Sequence, residues 1–296
     1  MAGSPCLRVT KRLALLLALA LAAPVSGAPL AAAQTGQTGK TAQTPQVATR
    51  PGGLIRWSAP GTKRCGMAGR AWPALGETCY YPIDILRKPG VVTVIRHGAG
   101  PAERARVRIE SFPYGTEELD LGDIPQGNPS PEDLRRNARD QALVAKVWRR
   151  KEGPAAFELP LGAPAGNLPE PKTFGWKRVF NGKPAAQPHM GVDYALNEGT
   201  PVVAVADGVV VIAEELFYPG NAVFLDHGDG LITMYFHLSR IDVQPGAEVR
   251  KGERIGLAGS TGRATGPHLY FGVRWHDARI DPAPLLDDPA RIPAVE

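Results

Sequence analysis

Three short stretches carry the side chains that can do chemistry. "HMGVD" holds His189 and, four residues on, Asp193; "MYFHL" holds His237; "GPHLYF" holds His268 and, two residues on, Tyr270. On a straight strand His189 and Asp193 would stand about 13 Å apart, too far to grip one ion. Gly191 between them lets the chain bend, and a histidine and a carboxylate meeting on one cation is the chemistry of a zinc site with N and O donors. Taken alone, His-x3-Asp is common and reads equally as a turn histidine and a surface acid. In "MYFHL" alternation puts Tyr235 and His237 on one strand face, with Met234, Phe236 and Leu238 on the other. By itself that histidine reads as one satisfied by a backbone carbonyl. His268 and Tyr270 share a strand face, where a His-x-His pair would suit a metal. His227 falls in a turn, His276 lies about 26 Å beyond His268 on extended chain, and His97 belongs to the first half of the chain. These three read as structural or surface residues.

The elements that must position these groups are short β runs. From about residue 173 the chain is nearly all β and glycine turns: "TPVVAVADGVVVIAEEL", "NAVFLDHGDGLITMYFHL", "RIGLAGSTG". "DHGDG" (226–230) reads as a hairpin turn. The glycine-rich "GSTGRATG" is not a phosphate loop, because it lacks the Lys-Ser/Thr ending and no helix follows it. Residues 153–172 are rich in Pro, Gly and Ala and read as a linker.

The first half reads differently. "VVTVIRH", "ARVRIESF" and "EELDL" are strand-like runs separated by turn residues, the pattern of a small β-sandwich-like domain over 54–152. Its C-terminal part is a helix over 130–153. Ser130 is the N-cap, Pro131 sits in the first turn and Asp133 completes a capping box. Leu134, Ala138, Ala142, Ala145 and Trp148 form its apolar stripe. The fold class is therefore mainly β, a β-sandwich-like domain with one helix followed by a compact antiparallel β domain over 173–296.

The start of the chain is targeting sequence. Arg8, Lys11 and Arg12 precede the Leu/Ala run Leu13–Ala23, and small residues follow with cleavage after Ala28 or Ala33. Residues 1–33 are read as a signal peptide and 34–53 as a flexible tether. The segment carries three basic and no acidic residues, which leaves 31 basic against 29 acidic elsewhere. The basic balance thus gives no argument for nucleic acid. No later stretch suits a membrane span. The signal pattern makes the expected location exported, periplasmic or extracellular. In an oxidising compartment Cys65 and Cys79 are expected to form a disulfide.

Taken together, "HMGVDY", "MYFHL" and "GSTGRATGPHLYFGV", in this order and at these spacings, resemble the lysostaphin/LytM-type peptidoglycan metalloendopeptidases. So do "FGWKRVFNGKPAAQPH", "VVAVADGVVV" and "VQPGAEVRKGERIGLAGSTG", and the resemblance covers about residues 173–286. It implies an antiparallel β fold with a narrow groove, a Zn2+ ion on its floor, and hydrolysis of peptide cross-links in peptidoglycan stems. Carried over by motif, His189 and Asp193 are zinc ligands and His237 and His268 are catalytic. The third ligand position, normally the last His of His-x-His, is Tyr270. Either its phenolate binds the metal or His268 turns in as the third ligand. The alternative is a catalytically degenerate domain that binds the wall or activates a wall amidase, with other wall hydrolases as partners. A third reading, from turns similar to those of biotinyl and lipoyl carriers, lacks the lysine a carrier hairpin needs.

Overall fold

The structure, a computed structural model, describes residues 46–150, 153–171 and 173–296. Residues 1–33, read as a signal peptide, and most of the expected tether lie outside the described residues. Residues 42–296 form one compact unit, and the fold is mainly β.

In the first half β1 (Val47–Thr49), β2 (Leu54–Ser58), β3 (Arg64–Met67), β4 (Arg70–Pro73), β5 (Thr78–Pro82), β6 (Gly90–His97) and β7 (Glu103–Ile109) make a five-stranded sheet and a two-stranded ribbon. The sheet runs β1-β7-β6-β3-β4, and the ribbon is β2-β5. Alternation explains the core between them: Val92, Val94, Ala105, Val107, Ile109 and Trp72 of the sheet pack with Ile55, Trp57 and Tyr81 of the ribbon. A Cys65–Cys79 disulfide, Cα–Cα 5.4 Å, ties β3 to β5. The last part of the tether is more ordered than its composition suggests, because β1 pairs in parallel with β7.

Next come β8 (Thr116–Leu119) and α1 (Pro131–Val147). The capping box forms as expected: the Asp133 N–H donates to Ser130 Oγ, and the Ser130 N–H to Asp133 Oδ2. The helix ends six residues short of Gly153, and its stripe is not the expected one. Leu134 is half exposed, while Leu143, Val144, Val147 and Trp148 pack on Ile212, Phe224 and Met234. Small alanines mark no face, and the sheet selects the large residues of the last two turns. The presumed linker is also packed: Phe157, Leu161 and Ala165 are buried in the main core. Pro and Gly signal irregular backbone there, not exposure.

The second half contains β9 (Lys177–Phe180), β10 (Lys183–Pro184), β11 (Gly191–Tyr194), β12 (Pro201–Val203), β13 (Gly208–Leu216), β14 (Gly220–Asp226), β15 (Leu231–Ile241), β16 (Glu248–Val249), β17 (Arg254–Ala258), β18 (Leu269–Trp275) and β19 (Ala278–Ile280). Nine of these form one sheet, with β11-β18-β15-β14-β13-β16 as its main path. One sheet face buries Tyr235, Phe271, Val273 and Trp275 in the main core. The opposite face carries Met234, Phe236 and Tyr270. β14 and β15 form the expected hairpin through residues 227–230. β8 pairs in parallel with β9, so the first half lends a strand to the entrance of the second. The halves are further joined by Arg50–Asp281 at 2.7 Å and by a two-pronged Asp84–Arg279 pair at 2.8 and 2.9 Å. Arg56 donates to the carbonyls of Ile292 and Ala290, and Val295 enters the first-half core. Among the described residues no helix is long and apolar enough to cross a membrane.

His227 is structural, as its turn position suggests. It is fully buried; Nδ1 lies 2.7 Å from the Asp207 carbonyl and Nε2 2.7 Å from the Thr233 hydroxyl. Burial holds its pKa below the ordinary 6.5, against that carbonyl and the Asp226 and Asp207 carboxylates. The unfolded chain therefore takes up this proton before the folded one does. Its contribution to stability is full above 6.5 and is lost as the pH falls below it. Unfolding free energy from urea titrations should fall as the pH drops below 6.5, by at most roughly 1.4 kcal/mol per pH unit from this group, and His227→Gln should flatten the slope. Equal slopes in the two proteins would refute the assignment.

Candidate metal and catalytic site

β11 and β18 run antiparallel with Asp193 opposite Tyr270, and β18 and β15 pair with Tyr270 opposite Phe236. Cross-strand neighbours on one face sit about 5 Å apart, so Asp193, Tyr270 and Phe236 form a row. His189 precedes β11. Its N–H donates to the Trp176 carbonyl and its carbonyl accepts from Gly175, which bends the chain back over the sheet. His189 Nε2 thereby comes to 3.4 Å from Asp193 Oδ1. Gly191 contributes space more than bending: a Cβ there would lie 2.5 Å from Tyr270 Cζ and 2.6 Å from the Phe271 carbonyl oxygen.

His237 is not on the face that simple alternation predicts. The β14–β15 register shifts between Asn221 and Val223, so two residues of β15 oppose one of β14. His237 takes φ +64°, a left-handed conformation uncommon for a histidine. Tyr235 and Leu238 both stay in the main core, while Phe236 and His237 both leave it. A bulge of this kind re-aims a side chain beside a functional site. The His237 ring then lies 4.6 Å from that of His268.

Each of the three imidazoles is anchored through Nδ1 to a backbone carbonyl: His189 to Thr173 (3.2 Å), His237 to Thr261 (2.8 Å) and His268 to Gly266 (2.8 Å). A carbonyl only accepts, so Nδ1 carries the proton and Nε2 keeps a lone pair. Burial lowers the His189 pKa to about 4 and the His237 pKa to about 3, so both rings are neutral near pH 7. Thr173, which holds His189, has φ +80°. For a β-branched residue this conformation is strained, as is frequent at functional sites.

Arg178 on β9 completes the cluster. It pairs with Asp193 Oδ2, and with Glu117 Oε2 at 3.1 Å. Burial pushes the Asp193 carboxyl up, but the facing charges outweigh it and hold it below the usual range. With His189 neutral, Arg178 is the permanent one. Sequence reasoning missed Arg178, Thr173 and Glu117. The β alternation of "KRVF" is the only local signal, and nothing in it points to Asp193.

The donor set is suited to a cation. Among the described residues no group of three or more His, Cys, Asp and Glu side chains closes into a complete metal cage. Yet His189 Nε2 and Asp193 Oδ1 are buried acceptors with no hydrogen-bond partner. His268 Nε2 faces the same carboxylate oxygen at 3.8 Å. Buried lone pairs pointed at each other are costly unless something positive lies between them. Tetrahedral zinc with bonds of about 2.0–2.1 Å spaces its ligands about 3.4 Å apart, which matches. Tyr270 fits this set poorly. Its ring stacks on Phe236, 4.6 Å between centroids and 4° from parallel. Burial raises its pKa, the Asp193 charge raises it further, and the phenol stays neutral.

Above this floor lies a groove of about 520 Å³, lined by His189, His237, Phe236, Tyr270, Tyr218 and Arg263 among others. A β sheet with such a groove, lined by His189 and His237 with Asp193 and His268 packed against them, is the arrangement of a metallopeptidase.

Residues 187–282 match the profile of peptidase family M23. A solved M23 structure from Pseudomonas aeruginosa is 31% identical, with a TM-score of 0.62 over 80% of this chain and 94% of that one. The chain belongs to peptidase family M23, which bears out the lysostaphin/LytM-type resemblance. Peptidoglycan DD-endopeptidase ShyA of Vibrio cholerae is 51% identical over 84 residues, 28% of this chain and 20% of that protein. DD-carboxypeptidase/endopeptidase Mpg of Neisseria meningitidis is 47% identical over 94 residues, 32% of this chain and 22% of that protein. The chain thus spans about a fifth of the length of these curated relatives.

Proposed function

We infer that this chain is an exported zinc-dependent endopeptidase, periplasmic or extracellular, that hydrolyses peptide cross-links of peptidoglycan. The observation that carries the reading is the unpartnered, buried His189 Nε2–Asp193 Oδ1 pair at the floor of an open groove. The peptidoglycan endopeptidases among the relatives support the substrate class.

His189 and Asp193 would hold the zinc, with His268 as the third donor. When bound, zinc supplies an acidified water and polarises the scissile carbonyl. The chain's own residues do the rest. Arg178 keeps Asp193 ionised while leaving Oδ1 free. His237, neutral and fixed by Thr261, presents Nε2 as the acceptor for a proton of the attacking water. Once protonated, it can hand that proton to the leaving amine. The stacked Phe236 and Tyr270 form an apolar floor that limits stray water.

A second reading, a degenerate domain that binds wall or activates an amidase, is favoured by Tyr270 at the usual ligand position and by Arg178 neutralising Asp193. Incubation of the full chain with purified sacculi and zinc separates the two. Release of cleaved cross-links, abolished by a chelator and reduced at least a hundredfold in His237→Ala, is expected. Sacculi that bind the protein but stay intact would establish the second reading instead.

A further inference from the structure

Among the described residues the groove lining contains three cations, Arg178, Lys183 and Arg263, and no aspartate or glutamate. Arg178 is matched by Glu117 and Asp193. Lys183 is exposed on β10. Arg263 is neither matched nor fully solvated. Its guanidinium lies 4.1 Å from the Phe180 ring centroid and 4.5 Å from that of Tyr218. The Arg263 backbone N–H donates to the Tyr218 carbonyl at 2.9 Å, which fixes the loop that carries the side chain. Burial lowers its pKa, and the groups that act on its charge are Tyr218 and Arg178, not a carboxylate.

Two aromatic rings fix the plane of such a guanidinium by cation–π contact. A fixed plane presents its N–H fork in one orientation, which suits a carboxylate better than any other single anion. Position adds to this. Arg263 lies two residues after Thr261, whose carbonyl orients His237. Arg263 and His237 line the same groove, so a group bound at Arg263 shares it with the proton acceptor.

We propose that Arg263 forms a carboxylate subsite of the groove, binding a free carboxylate of the substrate peptide next to the bond to be cut. The proposal rests on the reading of the groove as a peptide-binding one. It makes the protein selective for acidic over amidated cross-links, and the positive lining steers such peptides inward.

The test is direct binding, so it does not depend on turnover. Synthetic cross-linked peptide dimers are titrated calorimetrically into the full chain in four forms: free acid, C-terminal amide, side-chain amide and both. Free acid should bind about tenfold or more tighter than the doubly amidated dimer. Whichever single amide loses that advantage identifies the carboxylate as side-chain or C-terminal. Arg263→Gln should bring the free acid down to the amide level, and Arg263→Lys should keep part of the difference. Equal affinity of all four forms for the native chain overturns the subsite. So does Arg263→Gln weakening acid and amide alike, which would make Arg263 a brace between Phe180 and Tyr218. Preferential binding without cleavage would uphold the subsite and sink the endopeptidase reading, whereas no binding of any dimer sinks both.

Discussion

His268→Ala should purify without zinc, whereas Tyr270→Phe should keep one zinc per chain. The geometry sets this order. His268 Nε2 stands 3.8 Å from the Asp193 oxygen that also faces His189, and its Nδ1–H is already anchored to Gly266. The Tyr270 phenol is stacked, and both burial and the Asp193 charge oppose its ionisation. Losing a direct donor should weaken binding by more than the roughly 10- to 100-fold that loss of a supporting residue costs. Metal content after gel filtration, with a competing chelator titration, reads this without any substrate. Zinc lost in Tyr270→Phe and kept in His268→Ala would restore the tyrosine as the ligand and leave His268 free for proton chemistry.

The second large effect concerns a pair of glycines behind the site. Gly220 has φ +65° and Gly262 φ +71°. A Cβ on Gly220 would fall 2.4 Å from the Thr261 carbonyl carbon, and one on Gly262 2.3 Å from the Gly220 nitrogen. This contact presses the 259–268 loop against the start of β14, where Thr261 also takes the Asn221 N–H. Gly220→Ala should cost about 3 kcal/mol, from left-handed strain and overpacking together. It should also remove most activity per folded molecule, because Thr261 can no longer fix His237. Gly246→Ala is the control: its φ is +88° with nothing within 4 Å of the added Cβ, so it should cost about 1 kcal/mol and leave turnover intact. Urea midpoints and normalised rates decide it, and equal effects in the two variants would defeat the argument.

The site was legible where chemistry is local in sequence. His189, Asp193, His237 and His268 stand in motifs, and the structure brings all four into one cluster. What sequence could not show depends on how strands meet. A single bulge moves His237 off the face that alternation assigns it. The opposition of Phe236 to Tyr270 turns an expected ligand into a stacked ring. Arg178 reaches Asp193 only because β9 stands beside β11, and no spacing records that. The β-rich fold and the Ser130 cap were readable because propensity and capping act within a few residues. The burial of Phe157 and Leu161 was not, because a Pro- and Gly-rich run says nothing about what the backbone passes over.

The seam joining the two halves has a kinetic meaning. Arg50 meets Asp281 across 231 positions and Arg56 meets Ile292 across 236, while the Cys65–Cys79 link closes only 14. Contacts so distant along the chain form slowly, since a long loop must close before they give anything back. The hairpins and the disulfide can therefore form before this seam closes. The first-half core stays open on one side until Val295 arrives to fill it. Completion of the first-half core is thus coupled to the docking of Val295, a late step because its partners lie so far away along the chain.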